Sequence, residues 1–233
     1  MKIPKLIFIP GWGTDSSIFN AVLNRLKLQS TNIDWWNCLS NNADNNELYL
    51  ELEASDDPAV IIGWSLGGII ALSAAIKYHK RISGLFLMST TSRMIEDKGY
   101  YGVSENIIKA MIHKLKRTPI ETLKGFFSLC TNDTDNAIPG MQDAALKIKK
   151  EDLLSGLLCL KNTDVRKDLG KIKLPVRIIH VEKDRVVSVK NGIYLSEKLP
   201  FSGIEILQEG EHLFFHEAPS FLVDEISKFI DKI

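Results

Sequence analysis

The stretch Ala59-Val60-Ile61-Ile62-Gly63-Trp64-Ser65-Leu66-Gly67-Gly68-Ile69-Ile70 decides the fold. Its first half is a continuous apolar run, the pattern of a strand buried on both faces of a parallel sheet. Its second half continues to Tyr78 as a small-residue helix. Between them lies G-x-S-x-G with a further Gly68, in the strand–turn–helix setting that such a motif requires. The glycines have a steric reason. A serine on so sharp a turn takes strained dihedrals, and strand and helix pass so closely that side chains at 63 and 67 would collide. The turn lifts the Ser65 hydroxyl clear of the sheet. It leaves the Leu66 amide at a helix N-terminus, where it can donate to a developing oxyanion.

Outward from this point, apolar runs predict strands at Lys5–Pro10, Ile33–Cys38, Ile82–Ser89, Val176–Val181 and Ile204–Leu207. Helical spacing predicts a helix from a Ser16 or Ser17 cap to Leu26, another at Leu48–Ala54 and a last one at Pro219–Ile230. Alternating strands and helices imply right-handed crossovers and a mainly parallel central sheet flanked by helices. Residues 93–161 break this rhythm. They carry helical patterns at Glu105–Lys116, Pro119–Leu129, Met141–Ile148 and Glu151–Leu160, and no convincing buried strand. The expected organisation is a core of residues 1–92 and 162–233, with 93–161 inserted as a helical lid over the carboxyl edge of the sheet.

Composition narrows the function. The 233 residues are 45% hydrophobic and 25% charged, ordinary for a globular protein with a large core. Lys and Arg number 29 and Asp and Glu 29, so the global positive charge of a nucleic-acid binder is absent. The N-terminal apolar run, Leu6 to Ile9, is too short for a signal peptide or a membrane span, so no membrane insertion is expected. Cys38, Cys130 and Cys159 are odd in number and widely spaced, which argues against disulfides and a zinc site and for a reduced, cytoplasmic protein. No metal or other cofactor is expected.

A serine hydroxyl needs a base, and the chain order for this geometry is Ser, acid, His. Of five histidines, His212 lies in a loop between the last strand and the last helix, with His216 its nearest rival. His180 is inside a strand, His79 ends the helix after the serine, and His113 lies in the insertion. Asp184, three residues past the strand Val176–Val181, is the candidate acid. Glu182 is its rival, and a helix N-cap is the plain use of such an Asp. Pro10-Gly11-Trp12-Gly13 after the first strand can supply a second oxyanion donor, the Trp12 amide. A Ser at 65 excludes a dehalogenase, which would need Asp there.

Strand-P-G-W-G, G-W-S-L-G-G, V-x-x-D-x-V-V from Val181 and E-H-x-x-F-x-x-x-P from Glu211 together resemble the α/β-hydrolase superfamily. Within it they are most similar to the pimeloyl-[acyl-carrier protein] methyl ester esterases of biotin synthesis, as is the L-x-x-T-D-x-R segment from Leu160 to Arg166. The resemblance covers residues 5–92 and 156–230. It implies an α/β-hydrolase fold, Ser65 as nucleophile, His212 as base, Asp184 as orienting acid, and Trp12 and Leu66 as oxyanion donors. It implies hydrolysis of a carrier-bound pimeloyl methyl ester through an acyl-enzyme. A broad short-chain carboxylesterase or thioesterase, or a non-catalytic ligand-binding homologue, would share most of these motifs. The chain departs from the pattern at Pro10, where a His is usual, and in the glycine-free segment 37–46. It also begins at the strand before the oxyanion loop, so the family's N-terminal hairpin is expected to be missing.

An acyl-carrier protein is acidic, so a docking face would be basic. The insertion holds 11 Lys and Arg against 9 Asp and Glu, with Lys109, Lys114, Lys116, Arg117 and Lys124 grouped between 104 and 125. These are candidates for docking, or the solvated faces of amphipathic helices. Trp64 and the insertion residues Met111, Phe126 and Phe127 are candidates for an acyl pocket. At helical spacing the insertion residues read equally as its own core.

Overall fold

A computed structural model of the chain describes residues 4–40, 42–131 and 141–233. Strands β1 (Leu6–Ile9), β2 (Ser30–Asn32), β3 (Ala59–Trp64), β4 (Ile82–Met88), β5 (Val176–Val181) and β6 (Ser202–Leu207) form one sheet in the order β2-β1-β3-β4-β5-β6. Every pairing is parallel. Residues of β1 and β3 are buried throughout, as their unbroken apolar runs require. The helices are α1 (Asn20–Leu23), α2 (Glu47–Glu53), α3 (Leu66–Lys77), α4 (Glu105–Arg117), α5 (Pro119–Cys130), α6 (Met141–Lys147), α7 (Lys150–Asn162), α8 (Val189–Lys198), α9 (Phe214–Glu217) and α10 (Pro219–Ile230).

The chain steps from β1 to β2 in one direction, and from β3 onwards in the other. Right-handed crossovers therefore put α1 on one face and α3 and α8 on the opposite face. Helix α10 joins α1, and there Phe8 meets Phe19 and Phe86 meets Phe229, with ring centroids 5.2 and 5.9 Å apart. The reversal lies between β1 and β3. Ligands of open parallel sheets bind at the carboxyl ends of strands flanking such a switch point. The loops leaving β1 and β3 there are Pro10–Gly13 and the turn at Ser65.

Helices α4, α5, α6 and α7 all lie between β4 and β5. The two ends of this insertion are fastened to each other. Arg93 and Asp164 form an isolated antiparallel bridge, and Arg93 Nη1 lies 2.6 Å from Asp164 Oδ2. Arg166 Nη2 reaches the same carboxylate at 2.7 Å and Asp97 at 2.9 Å, and its guanidinium sits over the Tyr100 ring.

Two expected elements differ. Ile33–Cys38 is not a strand: β2 is Ser30–Asn32, and Trp35–Cys38 is a 3-10 turn. The Asp34 carboxylate accepts from the Ser16 amide at 2.7 Å, and the Trp35 indole donates to the Thr14 carbonyl at 2.9 Å. These bonds draw the segment off the sheet and seat Trp35 fully buried. The helix after β1 is capped by Asp15 rather than Ser16 or Ser17. It begins as a 3-10 turn, Ser16–Phe19, and is α-helical only over α1.

Two glycine substitutions should move stability in opposite directions. A Cβ on Gly67 would lie 2.1 Å from the Ile9 carbonyl oxygen, so Gly67→Ala should cost about 3 kcal/mol or more. A Cβ on Gly125, in α5, meets nothing within 4 Å, so Gly125→Ala should stabilise by roughly 0.5–1 kcal/mol. Urea unfolding of both variants reads the two signs.

The clamp at the base of the insertion should be visible in acid. Hydrogen bonding from Arg166, with Arg93 assisting and partial burial opposing, holds the Asp164 carboxyl well below the usual carboxylate range. The stabilisation is therefore complete above the unfolded aspartate pKa of about 4 and is lost as pH falls towards the lower native value. Asp164→Asn should be less stable than wild type by on the order of 1 kcal/mol near neutrality, after solvent screening. The gap should narrow progressively below about pH 4, measured as urea midpoints from pH 6 to 2.5.

Candidate active site

Ser65 caps α3 in a conformation few L-residues adopt, φ 54° and ψ −116°. Its amide donates to the Met88 carbonyl at 3.0 Å, and its carbonyl accepts from Gly68 and Ile69. That carbonyl also takes the Thr90 hydroxyl proton at 2.6 Å. Bare backbone on either side makes the turn possible. A Cβ on Gly63 would lie 2.6 Å from the Gly67 carbonyl oxygen, and one on Gly68 would lie 2.5 Å from Thr90 Oγ1. Leu66 is the first residue of α3, so its amide belongs to the set a helix leaves unpaired.

The loop after β1 reaches the same place. A Cβ on Gly11 would come within 3.1 Å of Ser65 Cβ and 2.9 Å of the Trp64 ring. Gly13 has φ +79°, and the Thr14 amide and hydroxyl both donate to the Gly11 carbonyl, closing a tight turn around Trp12. The Trp12 side chain points into the insertion. Its indole N–H donates to the Leu153 carbonyl of α7 at 2.8 Å, and its ring meets Phe126 edge-on at 4.9 Å.

His212 is fully buried, and its Nδ1 lies 2.7 Å from Asp184 Oδ2, whose side chain is equally buried. The other carboxylate oxygen accepts from the Val186 and Val187 amides, each at 2.8 Å. Burial pushes the Asp184 carboxyl up. The neighbouring His212, with His180 and the Val187 amide, outweighs it and holds the group below its ordinary value. Asp184 is therefore ionised at neutral pH and fixes the proton of His212 on Nδ1. Nε2 of His212 is then a lone-pair acceptor, buried and without a hydrogen-bond partner among the described residues. The Trp64 indole donates to the His212 carbonyl at 3.0 Å, and the two rings are 5.2 Å apart. The residue before Ser65 thus holds the histidine loop over the turn.

The rivals lie elsewhere. Glu182 is exposed, as are His79 and His113. His216 is in α9, where burial pulls its proton affinity down against the opposing pull of Glu217. His180 sits behind Asp184, with Nε2 3.7 Å from Oδ2.

Of the insertion residues, Phe127 is buried and Phe126 and Met111 are half-buried. Leu123, Phe126 and Phe127 line the approach to Gly13. Lys114, Lys116, Arg117 and Lys124 are exposed, and Lys109 is paired with Glu105 at 3.0 Å. Among the described residues no group of three or more His, Cys, Asp or Glu is placed to hold a metal ion, and no helix is long and apolar enough to cross a membrane.

The family model for the alpha/beta hydrolase fold matches residues 4–219. The chain belongs to the α/β-hydrolase family. This hydrolase is 31% identical to a pimeloyl-[acyl-carrier protein] methyl ester esterase of Wigglesworthia glossinidia brevipalpis, over 97% of this chain and 93% of that one. It is 25% identical to the enzyme of the same name from Aliivibrio fischeri strain MJ11, with the same coverage. Among solved structures it resembles an esterase from Exiguobacterium antarcticum. The TM-score is 0.83 and the identity 18%, over 98% of this chain and 92% of that one.

Several residues that build the site carry no motif in the sequence. Thr90 is one, though the extra Gly68 facing it is its trace. Arg185 is another: its guanidinium donates to the Ser128 and Thr131 carbonyls, the latter at 2.9 Å, at the end of α5. Gly156 is a third. A Cβ there would lie 2.6 Å from both the Trp12 and Trp35 rings, and a glycine inside a helical pattern is the usual sign of such an approach.

Proposed function

We propose that this carboxylic ester hydrolase cleaves the methyl ester of a pimeloyl group carried on an acyl-carrier protein, through a Ser65–His212–Asp184 triad and an acyl-enzyme. The observation that carries the triad is the buried imidazole of His212. One nitrogen is committed to a buried carboxylate, the other is an acceptor without a partner among the described residues, and the loop is bound to the residue before Ser65. The substrate reading is supported by the names of the relatives at up to 31% identity.

His212 Nε2 takes the Ser65 hydroxyl proton as Oγ attacks the ester carbonyl. The Trp12 and Leu66 amides donate to the tetrahedral oxyanion, each such donor being worth about 2.7–4 kcal/mol of barrier. Asp184 holds the tautomer and stabilises the imidazolium. Collapse breaks the bond to the methoxy oxygen, which leaves as methanol with the proton from His212. Water, deprotonated by the same nitrogen, then releases the pimeloyl carboxylate and free Ser65. Residues 93–161 act as a lid, with Met111, Phe126 and Phe127 above the acyl chain and Trp64 beneath. The reaction needs no cofactor and belongs to the cytoplasm.

Methanol release from methyl-pimeloyl carrier protein should fall by about 10⁴-fold or more in Ser65→Ala and in His212→Ala, with folding retained. Asp184→Asn should lose far more turnover than Glu182→Gln. Cleavage of short p-nitrophenyl esters without cleavage of the carrier-bound ester would reduce the reading to a carboxylesterase of another substrate.

The exposed cations Lys114, Lys116, Arg117 and Lys124 on α4 and α5 suit an acidic carrier. Lys109, already paired with Glu105, contributes less. Charge reversal at Lys114, Lys116 and Arg117 should raise KM for the carrier-bound ester and leave a small free ester unaffected. Equal effects on both would remove these residues from docking.

A further inference from the structure

We infer that His180 is a positioning residue for the acid–base pair: by holding the Val187 carbonyl it keeps two backbone amides on Asp184 and so aims the other carboxylate oxygen at His212. The inference rests on the assignment of Asp184 and His212 above.

His180 is the fifth residue of β5 and fully buried. Its Nε2 lies 2.9 Å from the Val187 carbonyl. A carbonyl only accepts, so Nε2 carries the proton. Nδ1 is then a bare lone pair, and it has no hydrogen-bond partner among the described residues. It faces Gly192 of α8, where a Cβ would lie 2.7 Å away. An orphaned buried acceptor is costly, and a buried apolar side chain would avoid that cost. What the imidazole supplies in return is its one donated bond.

That bond is aimed at the residue that matters most to the acid. Val187 gives its amide to Asp184 Oδ1 and its carbonyl to His180, so its two polar backbone groups are held from both sides. With Val186 and Val187 filling Oδ1, Oδ2 is left for His212. His180 itself stands 3.7 Å from Oδ2, beyond hydrogen-bonding distance. Being neutral, it does not compete with His212 for the carboxylate charge. Burial favours that neutral form against the opposing pull of Asp184.

The test compares His180→Leu with His180→Gln, whose amide can restore the donor to the Val187 carbonyl. His180→Leu should lower kcat by about 10- to 100-fold with KM unchanged, and His180→Gln should recover turnover. Gly192→Ala, which pushes a methyl against Nδ1, should lower kcat in the same sense without touching any group of the triad. It serves if His180→Leu does not fold. Turnover in folded His180→Leu within twofold of wild type, or equal losses in the Leu and Gln variants with KM raised, would overturn the inference. Asp184→Asn run alongside separates the two readings. If it retains turnover, the triad assignment itself fails. If it is inactive while His180→Leu is unimpaired, only the role of His180 fails.

Discussion

Everything at the carboxyl edge of the sheet depends on one steric fact: the start of α3 lies against the end of β1 with no room for a side chain. Gly67 is close enough to the Ile9 carbonyl that a methyl would overlap it. The chain can leave β3 and enter α3 so abruptly only because Ser65 accepts a positive φ, and the surroundings hold it there. Its amide is bound to Met88 and its carbonyl to Thr90. Strain at a single residue persists only when the structure around it over-determines the conformation. Here the packing of two strands and a helix does so, and the serine hydroxyl stands at the switch point of the sheet.

The Asp184–His212 pair is held by electrostatics rather than by sterics. An aspartate and a histidine are both removed from water, which would be unfavourable for either alone. Each completes the other, and backbone amides take up what remains of the carboxylate. The two halves come from distant parts of the chain. The Trp64 indole joins them by binding the His212 backbone rather than its ring. The Nε2 of His212 has no hydrogen-bond partner among the described residues, while the loop that carries it is fixed.

Sequence reading located the core well because its signals are local and periodic. The runs Ala59–Trp64 and Val176–Val181 coincide with β3 and β5, and the pattern Pro219–Ile230 coincides with α10. The serine turn was legible because glycine is demanded at fixed offsets by close backbone contact. Ile33–Cys38 misled because two tryptophans beside an isoleucine look like a strand, whereas Trp35 is drawn off the sheet by a hydrogen bond to Thr14. His180 read as a strand histidine with no further meaning. Its position behind Asp184 arises from how β5 bends into the next loop, which no spacing in the sequence reports. The same holds for Thr90, Arg185 and Gly156, whose partners lie on other elements.

The insertion is sewn into the loops that carry Trp12, Asp184 and His212 at several points. Arg185, next to Asp184, binds carbonyls at the end of α5. The Leu213 amide, next to His212, binds the Cys130 carbonyl of that helix at 3.2 Å. The Trp12 indole, on the loop after β1, binds α7. These helices are therefore not an interchangeable cassette. A chimera that transplanted residues 93–161 from a relative to alter substrate choice would also remove the far ends of three seams. It would have to return main-chain carbonyls to the places where the Trp12 indole, the Arg185 guanidinium and the Leu213 amide meet them, so new specificity in this scaffold is more accessible through single side chains facing the pocket than through wholesale exchange.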